Sequence, residues 1–286
     1  MIIKKKKKSN ITVVIPSLGS HVLLKTIFFL NQGIVKPDII LICLPKGLFP
    51  RIGQIKKFRN VKILQCPDKG QVKQKIYGFN KVKTKYTLQM DDDILVSKTC
   101  LKEFLVAANS KSKKNAFGGY LKSQNHDLTK YIKPTFFRQI LNLLFYGTRF
   151  IKMRRVLETG IPTNLFDEKN LFLVETEWLN GILFTNSTNL INYDYYNMTG
   201  KAYNEDIIHS GILRENNIKL WVNNKAVCIE QKQNITSEND KFNIQYWIKI
   251  YKTRSRIIEL YSGAKLKILF LMALELIKLL LIKQKG

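Results

Sequence analysis

Short apolar runs separated by helical stripes constrain this chain more than any other feature. "ITVVI" (11–15) reads as a buried strand, "DIILICL" (38–44) as a second, "VKILQ" (61–65) as a third and "YTLQM" (86–90) as a fourth. Between the first two, Leu23, Leu24, Ile27 and Phe28 share one helical face, with Ser20 placed to cap its start and Gly33 to close it. Before the fourth, Val72, Ile76, Phe79 and Val82 recur at helical spacing; after it, Leu101, Phe104, Leu105 and Ala108 do the same. Buried strands alternating with helices pair in a largely parallel sheet covered on both faces. In such sheets ligands gather beyond the carboxyl ends of the strands.

The second half is less regular. "FFRQILNLLFYGTRFIKMRR" (136–155) is apolar, aromatic and basic at once. "LFLVETEWLNGILFT" (171–185) reads as strand, turn and strand, "NEDIIHSGILRENNIKLWV" (204–222) as a short helix and a strand, and "KAVCIE" (225–230) as one more strand. From about 233 the chain turns polar, then helical to its last residue. It has no internal repeat and no long Pro/Ser-rich linker.

Composition narrows the partners. With 286 residues, 45% of them hydrophobic, the chain can bury a large core. Lys+Arg 48 against Asp+Glu 21 leaves +27, which suits nucleic acid, a membrane surface or phosphorylated substrates. Lysine-rich coding on solvated faces, as in proteins of AT-rich genomes, gives the same excess. No zinc finger, RNP motif or helix-turn-helix signature is present, so nucleic acid is not expected. Cys43, Cys66, Cys100 and Cys228 have neither CxxC spacing nor paired histidines, which argues against zinc and a disulfide framework and fits reduced thiols. The basic start is followed by an apolar run too short for a signal peptide, ending at Pro16, so sequons such as Asn197-Met198-Thr199 carry little weight.

Against this basic background Asp91, Asp92 and Asp93 stand together at the end of the fourth strand. Adjacent carboxylates repel, and a cation would relieve them. If the strand continued, Asp91 and Asp93 would face one site and Asp92 another. Two carboxylates there suit a hard divalent ion, Mn2+ or Mg2+, that keeps waters and takes substrate phosphates. The alternative is an acidic loop favouring the N-terminus of the next helix. Upstream, the basic stretch Lys69 to Lys85 offers Gln71, Lys73, Gln74 and Lys75 to a diphosphate or a base, or simply to solvent.

Further on, Glu205 and Asp206 open a helix carrying Ile207, Ile208, Ile212 and Leu213. Asp206 is either a general base or a stabiliser of that N-terminus. His209 orients it, faces an acceptor or is structural. Trp178 stacks a sugar ring or fills the core, and Asn180 and Gly181 shape the turn beside it. No nucleophilic triad is apparent.

"VVIPSLGS", "KGQVKQKIYGFNKVKTKYTLQMDDDI", "WLNG" and "YNEDIIHSGILRENNIKLWV", in that order over roughly 10–231, resemble family 2 glycosyltransferases of the GT-A fold. The resemblance implies a Rossmann-like three-layer α/β/α domain with a mixed central sheet, plus a C-terminal amphipathic helical tail. It divides the chain into a basic tail (1–9), a GT-A domain (10–232) and a helical extension (233–286). Within the domain, 10–120 would bind a nucleoside-diphosphate sugar and 121–232 a glycan or lipid-linked acceptor. It assigns Asp91 and Asp93 to the metal, and Pro16, Ser17, Gln71, Gln74, Lys75, Asp91 and Asp92 to the nucleotide sugar. Trp178, Asn180, Gly181 and His209 fall on the acceptor side, with Asp206 as base and Glu205 beside it. The chemistry would be inverting, metal-dependent sugar transfer to a hydroxyl in cell-surface glycan biosynthesis (lipopolysaccharide, capsule or a related polysaccharide).

The pattern departs from the family in places. Cys43 or Leu44 of "LICLPKGL" stands where an Asp would read the nucleobase, so base recognition differs. Glu230 and Gln231 replace a metal-binding His, and the Q-x-x-R-W motif of processive synthases is absent, which favours single addition. The remaining readings are a non-enzymatic basic module for nucleic acid or anionic membrane, and a nucleotidyltransferase on a related fold.

The segment 264–286 is the most apolar. A spanning helix needs about 20 mostly apolar residues. Lys267, Glu275 and Lys278 interrupt this one, each at about 2.5–3.5 kcal/mol if central. They fall on one broad side, which suits a helix lying in the interface of an anionic membrane, or packed on the domain or a partner. Segment 136–155 shares that role or covers the acceptor site. The expected location is cytoplasmic, peripheral on the inner face of the cytoplasmic membrane.

Overall fold

The computed structural model describes residues 8–48, 52–55, 57–122, 135–148, 154–163, 172–196, 202–231 and 244–283, with side chains except at 52, 137–138, 244 and 275–283. The sequon at Asn197 and the side chains of Glu275 and Lys278 lie outside this set.

The chain runs β1 (Ile11–Pro16), α1 (Leu23–Gln32), β2 (Ile39–Pro45), α2 (Ile52–Ile55), β3 (Val61–Cys66), α3 (Gln71–Phe79), β4 (Tyr86–Met90), β5 (Ile94–Val96) and α4 (Cys100–Ser110). It continues through β6 (Asn115–Lys122), α5 (Phe136–Tyr146), β7 (Leu173–Thr176), β8 (Ile182–Asn186), α6 (Glu205–Glu215), β9 (Lys219–Glu230), α7 (Ile244–Tyr261) and α8 (Lys265–Lys283). All form around one sheet in the order β3-β2-β1-β4-β8-β6-β9-β5, with β7 also on β9.

The four strands expected from the sequence make the parallel side, β3-β2-β1-β4. The other side is mixed: β8 runs antiparallel to β4 and β6, while β6 and β9 are parallel. The sheet is therefore less parallel than the first half suggests, because strands from late in the chain complete it.

Alternation along the buried strands builds two cores. Ile11, Val13 and Ile15 of β1, with Ile40, Ile42 and Leu44 of β2, point to α1 and α4. Val14, Leu41 and Cys43 point the other way, toward Phe79 of α3. Farther along that second face, α6 buries Ile207, Ile208, Ile212 and Leu213 against Leu220 and Val222 of β9. The result is a helix–sheet–helix sandwich.

Helix boundaries depart from expectation in α1. It starts at Leu23 without a side-chain cap, and the Ser20 hydroxyl is buried without a partner among the described residues. Gly33 does follow its last turn, in an extended rather than left-handed conformation. Phe28 is exposed, and Thr26 and Leu30 take the buried positions. Downstream, α7 belongs to the packed body: Ile257 and Ile258 are buried, and the Tyr261 hydroxyl reaches the carbonyls of Glu177 (2.9 Å) and Ile207 (3.0 Å).

Candidate active site

The acids do not continue a strand. β4 stops at Met90, Asp91 to Asp93 turn the chain, and β5 resumes at Ile94 beside β9. The expected alternation of Asp91 and Asp93 about Asp92 is replaced by three separate environments. Asp91 accepts a hydrogen bond from Gln71 Nε2 at 3.0 Å and lies 3.9 Å from Lys75 Nζ. Asp92 is clamped to the end of β1: its carboxylate accepts from the Ser17 hydroxyl, and its carbonyl from Thr26 Oγ1 at 2.8 Å. Asp93 has no ion pair among the described residues, and the backbone N–H of Gln231 donates to its carbonyl at 2.9 Å.

These positions follow from α3. Gly70 precedes it at φ 146°, a conformation side chains rarely tolerate, and lets the chain turn into the helix just below the strand ends. The helix then presents Gln71, Gln74 and Lys75 inward, while Lys73 stays exposed beside Asp68. Gln74, expected to reach substrate, is buried, and its amide donates to the carbonyls of Ser17 (2.8 Å) and Cys43 (2.5 Å). It laces the ends of β1 and β2 together instead. Ser17 is likewise buried and acts through Asp92, and Pro16 closes β1 beside it. Of the expected nucleotide-side polar groups, Gln71, Asp91 and Asp92 remain partly open, with Asp92 held by Ser17.

The N-terminus of α6 supplies the opposite wall. Asn204 takes the left-handed conformation (φ 53°, ψ 27°) that asparagine tolerates, and Glu205 and Asp206 occupy the first turn, where the helix dipole favours acids. Lys75 pairs with Glu205 in full burial, so two residues far apart in sequence meet under the acids. Tyr195 donates its hydroxyl to the other Glu205 oxygen at 2.9 Å, and its ring stacks on His209 at 5.1 Å.

The electrostatics sort the carboxylates. Burial alone would raise Glu205; the Lys75 ammonium, then His209, and hydrogen bonds from Lys75 and Tyr195 hold it below its usual range. Burial likewise opposes the charge on Lys75, yet Glu205 and Asp91 keep that amine above its usual range. Asp206 is pushed the other way, up to about 7, by burial and then by Glu205, with Lys75 pulling against them. Burial raises Asp91 to about 6, Lys75 opposes, and Glu205 and Asp92 add to the rise. His209 is driven down to about 4 by burial and is neutral near pH 7.

Glu205 is thus committed to Lys75 and Tyr195, whereas Asp206 is half-buried and, among the described residues, accepts only the Ile207 N–H, at 3.0 Å. The two members of the dipeptide differ in role: one anchors, the other is available. His209, expected on the acceptor side, is buried between Tyr195 and Phe79 and supports the Glu205 anchor from below. Trp178 is half-buried with its indole N–H bonded to the Thr163 carbonyl at 3.1 Å. Its turn nonetheless belongs to the site. The Asp91 N–H donates to the Gly181 carbonyl at 3.0 Å, and a side chain at Gly181 would strike the Asp91 carboxylate. Beside it the Asn180 side-chain oxygen is buried without a hydrogen-bond partner among the described residues.

Among the described residues no group of three or more His, Cys, Asp and Glu is arranged around one point for a metal. The donor set at the turn is nevertheless all carboxylate, and Asp93 has no compensating cation among the described residues, so hard oxygen ligation by Asp91 and Asp93 with the rest from phosphate and water fits the residues present. Sequence reasoning missed Tyr195 and Thr26. A tyrosine in the loop "NYDYYN" and a threonine on a helix have no spacing that singles them out. A separate cleft, lined by Asn31, Lys36, Asp38, Arg59 and Asn60, lies at the opposite ends of the parallel strands and contains none of these groups.

No protein-family model and no curated protein matches the chain. Solved structures match along most of it. GalNAc-T7 with UDP, GalNAc and Mn2+ superposes with a TM-score of 0.59 at 14% identity, covering 87% of this chain and 47% of that one. TarS 1–349 of S. aureus, in complex with UDP-GlcNAc, gives 0.56 at 13% identity, covering 88% and 67%. A mycobacterial protein gives 0.53 at 8%, covering 89% and 75%. The chain spans about half the length of the GalNAc-T7 chain. Identities this low speak to the fold, which is the mixed α/β architecture of GT-A type that the glycosyltransferases GalNAc-T7 and TarS share.

Proposed function

We propose that the chain is a glycosyltransferase that moves a sugar from a nucleoside diphosphate to a hydroxyl acceptor with inversion, as its likeness to family 2 enzymes implies. One observation carries the reading: Lys75 joins Asp91, at the end of β4, to Glu205, at the start of α6, and so holds an open acid, Asp206, across from the acid turn. The ligands named with GalNAc-T7 and TarS, UDP with GalNAc and Mn2+ in one and UDP-GlcNAc in the other, support the donor class.

The Asp206 carboxylate takes the acceptor proton as the hydroxyl oxygen bonds the anomeric carbon and the bond to the diphosphate breaks. A carboxylate held near 7 is partly ionised at neutral pH, increasingly so above it, and basic enough to act, and general bases contribute about 10²–10⁴-fold. Gln71 and Asp91 orient the donor, and the orphaned Asn180 oxygen accepts from a sugar hydroxyl. A divalent ion of the Mn2+ or Mg2+ kind, held by Asp91 and Asp93, would neutralise charge on the departing diphosphate.

The test is a thermal-shift screen of nucleotide sugars with and without Mn2+, followed by product analysis. A ligand at a hundred times its Kd adds about 2.7 kcal/mol of stability. Release of nucleoside diphosphate supports sugar transfer, release of pyrophosphate points to nucleotidyl transfer, and silence across the screen removes the donor class altogether.

A further inference from the structure

The apolar ridge formed by α5 and α8 points to a docking surface for anionic lipid, and we infer that the protein seats this ridge in a membrane interface. Helices on a watery surface normally turn leucines inward and charges outward. α5 does the reverse, and α8 buries Ile268 and Leu271 but leaves a second apolar row outward. On α5, Phe136 (78% exposed), Ile140, Leu143 and Leu144 face outward while Asn142 is buried. On α8, Leu266 (82% exposed), Leu269, Phe270 and Leu274 face outward. The lysines of its first turn meanwhile reach acids of the body, Lys265 to Glu259 at 3.1 Å and Lys267 to Glu158.

The two helices form one patch, because Phe145 stacks on Phe270 at 5.4 Å. Contiguous apolar surface of this kind marks an interaction site. Charge decides the occupant. Beyond Arg155, Lys265 and Lys267, which pair with Glu177, Glu259 and Glu158, the sequence of segments 136–155 and 264–286 also carries Arg138, Arg149, Lys152, Lys278, Lys283 and Lys285 against Glu275 alone. A second copy would bring these like-charged segments face to face, which opposes association. Anionic headgroups attract them while the acyl boundary takes the leucines and phenylalanines. No helix among the described residues is long and apolar enough to cross a membrane, so the ridge lies in the interface. The sequence pointed to the C-terminal segment and offered 136–155 as sharing its role; the structure joins the two through the Phe145–Phe270 stack and ties Lys267 back to Glu158.

The test uses the full chain, sedimented with phosphatidylcholine vesicles with and without phosphatidylglycerol. Binding is expected with the anionic lipid, weakened by salt, and reduced about tenfold or more in L144E/L269E, whose positions are 60% and 53% exposed and outside the catalytic corner. Equal binding by that variant, equal binding to both vesicles, or no binding by the folded protein would overturn the proposal. So would a dimer that the variant disperses without any vesicle binding. The shift in melting temperature caused by a nucleotide sugar should be the same in the variant. Its absence from the unmutated chain would count against sugar transfer and leave the docking surface standing.

Discussion

The corner under Asp91 and the ridge of α5 and α8 break the same packing rule in opposite senses. In the corner, Lys75, Glu205 and His209 are charged or titratable and buried. On the ridge, Phe136, Leu144 and Leu266 are apolar and exposed. The buried groups are answered inside the chain: Lys75 by Glu205 and Asp91, Glu205 also by Tyr195, His209 by two rings. Nothing among the described residues answers the ridge. A violation closed within the fold belongs to a preorganised site; one left open calls for something outside the molecule.

The largest effect expected in the corner falls on rate. D206N should lower kcat by about 10²–10⁴-fold with KM little changed, since it removes a proton acceptor and keeps the side-chain shape. In the unmutated protein kcat/KM should rise with pH toward about 7 and then level, because the base works only when ionised. Full activity in D206N, or a limb that falls over this range, would separate the corner from catalysis.

Next comes stability. K75M strands Glu205 in a buried site, and breaking such a pair costs about 3–5 kcal/mol. The double variant K75M/E205L should recover part of this loss, and urea denaturation measures both. If K75M costs no more than a surface change, the corner is not closed in the way described.

β1, β2 and β4 were legible because they are buried on both sides, which leaves apolar runs such as "ITVVI", while β3, the half-buried edge strand, was read from Val61, Ile63 and Leu64. β6 was not. Its "NAFGGYLK" has glycines in mid-strand, and its partners β8 and β9 come from much later in the chain. β5, only Ile94–Val96, is too short to show a period. In the site, the acid cluster and the Glu205-Asp206 pair stood out by residue type. Their division of labour did not, because it depends on Lys75 turning inward from a helix whose lysines look alike in sequence. Gln74 and His209 were misplaced for the same reason: a polar residue on a helix can hydrogen-bond strand ends or stack in a core as readily as it meets a ligand.

A third effect tests that buried histidine. The pKa of His209 in the fold, about 4, lies below the ordinary 6.5 of an unfolded chain. The unfolded state therefore binds more protons between these values, and this residue's contribution to stability is lost as pH falls from 6.5 toward 4. Asp91, Asp93 and Asp206 are raised and act in the opposite direction, so the comparison must be between H209N and the unmutated protein at matched pH. The stability gap should shift in favour of the variant on acidification, by roughly 3 kcal/mol at most. A gap independent of pH would place His209 in water rather than between Tyr195 and Phe79.

The smallest effect sharpens the comparison most. Lys267–Glu158 is the same chemical pair as Lys75–Glu205, but its side chains are 29% and 42% exposed instead of 0% and 4%. Solvent already stabilises both ions there, so K267M should cost at most about 1 kcal/mol in urea denaturation, and less in high salt. The contrast between two lysine–glutamate pairs in one chain isolates burial from chemistry. If K267M proved as damaging as K75M, the start of α8 would be bound to the body by more than a solvated ion pair. The inward turn of Lys267 would then be explained by packing alone, and the outward leucines would be its by-product rather than a surface shaped for lipid.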